Sequence, residues 1–285
     1  MKLIGLILLS LTSLAMFGQE VPYFVTYSHH LEEPESLEIE SKTAIGTPPI
    51  GNRFFGNSVE LEYGTAAWWT SELYLDFTGT TNESTAFGGF RLENRIRPLM
   101  EEHWINPVLY VEFEDINAAN KSVLEVVGHD GKADFSDNTS ELQNEKMREV
   151  ELKLILSSDA KGWNLSENLI FEKNLSNSPW EFGYALGASR PLRLRASERK
   201  CSMCPENFAA GAELYGGLGD RYTPGTRLTS HYFGPVANWQ IPNGPRFSFG
   251  TEFGLNDYGL PRIYRVGIAY EPGQIRSLFR RKGAN

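Results

Sequence analysis

The sequence predicts an all-β chain: a transmembrane, antiparallel, up-and-down β-barrel of about twelve strands. Three observations point there. Apolar and polar side chains alternate with period two in segments of about ten residues, separated by turn residues. Past the opening segment no apolar run reaches the roughly 18 residues of a membrane-spanning helix. The start of the chain reads as an export leader.

The leader comes first. Met1-Lys2 gives a short positive start, and 3–14 is an apolar run broken by Gly5, Ser10 and Thr12. Small residues then offer a cleavage site near Gly18, so 1–18 is expected to be a cleaved signal peptide. Residues 19–36 are expected to hang in the periplasm or fold into the lumen as a plug. The barrel is expected over 37–271, followed by a basic tail over 272–285.

Residues 69–78 give the clearest strand. Trp69, Ser71, Leu73, Leu75 and Phe77 share one face, and Thr70, Glu72, Tyr74, Asp76 and Thr78 share the other. A helix would mix these two sets around its circumference, whereas a strand separates them. The same alternation recurs over 59–63, 90–97, 109–114, 149–156, 180–187, 247–255 and 264–270. Weaker strands fall at 37–45, 163–173, 208–216 and 231–239. Glu167 interrupts one of these, and Pro235 sits inside another, where only a position without a ladder donor tolerates it.

A soluble sandwich also alternates. Here, however, the polar face mixes Glu, Asp, Arg and Lys with Gly and Ala, as a wet lumen would. The apolar face is bounded by Trp69, Trp163, Trp180, Trp239 and Tyr270, as at a membrane interface. A mean hydropathy of -0.34 fits a barrel, since only every second strand residue faces lipid. Connections at 64–68, 158–162 and 241–245 are short, while 46–57, 79–86 and 116–147 are longer and polar. The long 190–207 and the brief 174–179 run against that asymmetry. A formal charge of -9 argues against nucleic-acid binding, which needs clustered Lys and Arg.

The run Glu62-Tyr63-Gly64-Thr65-Ala66-Ala67-Trp68-Trp69-Thr70-Ser71-Glu72-Leu73-Tyr74-Leu75 resembles a hairpin of Gram-negative outer-membrane barrels, among them the MetA-pathway phenol-degradation family. Residues 210–217 and 232–236 look similar. The resemblance implies a barrel in the bacterial outer membrane that moves small apolar or aromatic compounds, and it brings no catalytic residues. It also implies contact with outer-membrane lipid and with the barrel assembly machinery. Many such barrels end in an aromatic residue; here the last strand ends at Tyr270, and 271–285 follow.

Function is expected in the lumen. The candidate selectivity residues are Glu72, Asp76, Glu112, Glu114, Glu149, Glu151 and Lys153, with Arg91, Arg95 and Arg97 as a basic ladder on an acidic wall. Either they set the selectivity of a pore for small solutes, or they pair across the lumen and fill it. The second course goes with a closed structural or adhesive barrel that binds partners through external loops, chiefly 116–147. Cys201 and Cys204 are expected to form a disulfide in an oxidising compartment. No histidine is followed two residues later by serine, and no Gly-x-Ser-x-Gly motif occurs, so no enzyme activity is expected. His29-His30 and the acids after them read as a solvated acidic segment rather than a metal site. No cofactor is expected, and the oligomeric state is left open.

Overall fold

Alternation dictates the architecture: each strand has one face for lipid and one for the lumen, and a sheet in lipid must close to satisfy its edges. The computed structural model describes residues 21–49, 51–122, 126–129, 135–136, 138–176, 178–197 and 201–274. The leader, 1–18, and most of the tail, from 275 onward, lie outside these residues. Twelve strands form the barrel: β1 Ser36–Gly46, β2 Phe54–Ala66, β3 Trp69–Thr80, β4 Thr85–Ile96, β5 Asn106–Asn117, β6 Lys146–Ala160, β7 Trp163–Asn174, β8 Trp180–Pro191, β9 Phe208–Asp220, β10 His231–Gln240, β11 Arg246–Gly254 and β12 Arg262–Gln274. Each pairs antiparallel with its sequence neighbours, and β12 closes on β1. Among the described residues, helix is confined to Phe135 and Ser136, one turn of α-helix, α1 (Thr139–Leu142), and a 3-10 turn at Pro205–Asn207.

The hairpin connections define a turn end and a loop end. At the turn end, β6 and β7 are joined by Lys161 and Gly162 alone. Both have positive φ, 53° and 82°, as the tightest hairpin turn requires. The exceptional connection at this end, between β8 and β9, carries the Cys201–Cys204 disulfide. Trp68, Trp69, Trp104, Trp163 and Trp239 all lie at the turn end, and Trp180 at the loop end. Between the two ends the outer face is apolar: Leu109, Leu165 and Phe249 stand about half exposed.

Three sequence features take their place in this frame. Pro235 points outward, and the β10–β11 ladder passes from Phe233↔Phe253 to Val236↔Gly250, so its missing N–H interrupts nothing. Glu167 lies on the outer, lipid-facing side of β7, flanked across the sheet by Leu156 and Leu186. Arg97 departs from the expected ladder. It falls beyond the end of β4, and its guanidinium turns to Glu102 in the next connection at 2.7 Å.

Candidate functional site in the lumen

The inner wall carries the charge. On β3 to β5, Arg91 donates to Asp76 at 2.9 Å and to Glu112 at 3.1 Å, and its guanidinium lies over the Tyr74 ring at 4.3 Å. Arg95 bonds Glu62, Glu72 and Glu93. On β6, Lys153 pairs with Glu151 at 2.8 Å and lies 4.3 Å from the centre of the Tyr110 ring. Glu114 is buried beside this group, and Glu149 accepts from Asn174 at 2.9 Å nearer the loop end. All of the candidate lumen residues except Arg97 thus sit on the buried inner face. Burying a charge is costly unless it is paired, and most of these cations are fixed by two or three carboxylates.

Two cations of the wall were not singled out from sequence. Lys42 on β1 bonds Glu60 at 2.8 Å, and Arg246 on β11 bonds Glu38 at 2.7 Å and Glu40 at 3.2 Å. Arg246 sits one residue before the alternating run that marked its strand, so its face was not legible. Inward tyrosines share the wall: Tyr74, Tyr110, Tyr215 and Tyr232 are all nearly fully buried. Even so, buried carboxylates outnumber buried cations on the wall.

The lumen is not empty. Residues 21–35 run through it as an extended segment that joins no sheet ladder. The N–H groups of Phe24, Val25 and Thr26 all donate to the Glu213 carboxylate, at 2.7 to 2.9 Å. Asn168 grips Tyr27 at both its N–H (2.6 Å) and its carbonyl (2.9 Å). The Tyr27 hydroxyl donates to Glu93 at 3.0 Å. Nearer the turn end the Glu32 N–H reaches Thr70, and the Glu35 N–H reaches the Gly64 carbonyl. The segment then turns through Glu35, at φ 68°, into β1.

Inward glycines make the room. A Cβ on Gly187 would lie 2.7 Å from the Tyr23 ring, and one on Gly250 would lie 3.0 Å from the Phe24 ring. A Cβ on Gly64 would lie 2.0 Å from the Glu33 carbonyl. The small residues of the polar face, read from sequence as a wet wall, are therefore the bed of the inserted segment.

The loop end is covered as well. The described part of the β5–β6 connection folds inward rather than out to solvent, with Lys121, Val126 and Val127 buried. Val126 and Val127 join Phe54, Tyr232, Leu260 and Ile263 in one apolar cluster with Phe24 and Val25 of the plug. An apolar cleft of about 350 Å³ opens near this end on the outer, lipid-facing side of β7, β8 and β9, lined by Leu169, Phe171, Phe182, Leu218 and Pro224.

At the turn end the plug meets the wall through histidines. His29 is fully buried, with Nδ1 2.8 Å from the Ser157 hydroxyl and Nε2 3.1 Å from Glu102. Burial, reinforced by His30 alongside, lowers the His29 pKa from its usual value and favours the neutral ring. Burial pushes the Glu32 carboxyl up to about 7, with Glu271 nearby acting in the same sense. The Ser157–His29–Glu102 run has the outline of a hydrolytic triad, yet Ser157 is buried and accepts hydrogen bonds from Asn164 and Ser166. It orients the imidazole and is closed to a substrate. His129, at the loop end, bonds Thr223 at 2.9 Å.

A closed lumen wall, a lipid-facing apolar band and a tryptophan girdle at the turn end define a transmembrane β-barrel of the outer-membrane class. The fold is shared with an outer membrane channel from Pseudomonas putida F1, at 11% identity over 85% of this chain and 97% of that one, with a TM-score of 0.55. Lower likeness, at a TM-score of 0.47 and 7% identity over 82% and 98% of the two chains, is found to the KdgM porin in complex with oligogalacturonate. The CymD monoaromatic hydrocarbon channel follows at 0.42 and 8%, over 84% and 89%. No family model and no curated protein matches the sequence.

Proposed function

We propose that this chain is an outer-membrane channel for small solutes, with residues 21–35 as a displaceable plug. The observation that supports it best is how the plug is held. It joins no ladder: most of its backbone hydrogen bonds go to single side chains of the wall, above all Glu213 and Asn168, and Phe24 and Val25 pack in the apolar cluster. Such contacts are undone one at a time, without opening the barrel. With the plug withdrawn, a wall richer in carboxylates than in cations favours cations. The turn end is the periplasmic end in this reading. Residues 1–18 are a leader removed on export, 272–285 are a basic tail, and β12, with Tyr270 on its lipid face, is the strand offered to the barrel assembly machinery. No catalytic role is assigned, since Ser157 is sealed.

A second reading, a closed structural barrel, draws on one observation: the β5–β6 connection covers the loop end while the plug fills the middle. Liposome swelling separates the two. A Glu213→Gln, Asn168→Ala double variant, folded and inserted, is expected to admit small sugars faster than the parent. Swelling at the rate of bare lipid from both proteins would leave the closed barrel standing.

A further inference from the structure

The turn end of the lumen brings together ligating groups from three separate stretches of the chain. His29 and His30 come from the plug, Asp159 from the end of β6, and Glu102 from the β4–β5 connection. Consecutive residues of an extended chain point to opposite sides. Here a bend at His29 brings both rings together, with centroids 4.4 Å apart, around the same carboxylate. His30 Nε2 lies 2.8 Å from Asp159 Oδ2, and His29 Nε2 lies 4.0 Å from that same oxygen and 3.1 Å from Glu102 Oε2. One ligand atom from each of His29, His30 and Asp159 falls within 4.8 Å of the others. Ligands around a tetrahedral zinc at about 2.0–2.2 Å stand about 3.3–3.6 Å apart, so these separations bracket the required spacing.

The geometry points to a site for a divalent cation of the zinc class, held by His29, His30 and Asp159, with Glu102 beside His29. Two imidazole nitrogens with a carboxylate suit zinc better than magnesium or calcium, which prefer all-oxygen shells. Ser157 supplies the outer support: with the ion on Nε2, the His29 proton sits on Nδ1, 2.8 Å from the Ser157 oxygen. Among the described residues, Arg97 is the one cation paired here, and it occupies the other oxygen of Glu102 at 2.7 Å. Carboxylate groupings elsewhere on the wall, Glu60–Glu62–Glu72 and Glu114–Glu149–Glu172, offer no imidazole and are not included. A bound ion would join the plug to β6 of the wall at the turn end.

The test uses the full chain refolded in detergent micelles and titrated with zinc chloride in a calorimeter, with folding verified by heat-modifiable migration on a gel. About one zinc per chain is expected, weakened about tenfold or more by His30→Gln and by Asp159→Asn. Both side chains are part-exposed at the rim, so these variants keep the barrel. Magnesium chloride is expected to give no saturable heat. The inference is overturned if folded protein shows no saturable zinc binding, if either substitution leaves binding unchanged, or if magnesium binds equally well. The titration is independent of the channel reading, because a barrel that never conducts still binds zinc.

Discussion

At the scale of single residues, the lumen is governed by the cost of a buried charge without its partner. Arg91 lies between Asp76 and Glu112, so Arg91→Met leaves two carboxylates facing each other in a dry wall. The change is expected to lower stability by about 3–5 kcal/mol, read from urea-driven unfolding in micelles. Glycines act in the opposite sense, by yielding space. Gly187→Leu would drive a side chain into the Tyr23 ring, so it is expected to expel the plug while the barrel stays folded. Limited proteolysis checks this: residues 21–35 become cleavable in the variant and stay protected in the parent. Much of the wall was legible at this scale, because Glu72, Asp76, Arg91 and Glu112 alternate with apolar neighbours. The partners were not legible, since a strand pattern gives the face and not what stands across the lumen. Arg97 shows the limit: its parity put it with Arg91 and Arg95, yet the strand ends before it.

At the scale of elements, the plug and the connections divide the work. The plug was one of two placements expected for 19–36, and nothing in its own sequence chose between them. The choice lies in the wall, where Gly187, Gly250 and Glu213 on three different strands form its bed. The β5–β6 connection was expected outside because long polar loops are usually solvated. Its described residues instead bury Val126 and Val127 against Phe54 and Leu260. The disulfide closes only a short loop within the β8–β9 connection. Replacing Cys201 and Cys204 with Ser is therefore expected to cost at most about 2 kcal/mol, the entropy of so short a loop, and to leave solute flux unchanged. Thermal melts and liposome swelling on the same preparation check both parts.

At the scale of the whole molecule, period-two alternation was enough to specify strand number, topology and the lipid face, because each of these is repeated in every strand. The filled lumen was hidden, since it depends on which segment enters a cavity that twelve strands enclose together. That difference sets what is now at stake: whether the plug leaves and whether the wall then conducts. The most direct measurement is the current through single barrels in a planar bilayer, comparing the parent with a variant lacking residues 21–32. The account predicts a silent or rarely opening parent, and discrete steps in the variant with a reversal potential shifted toward that of the cation. A variant that is folded and inserted but silent, or one that conducts with anion preference, would contradict it.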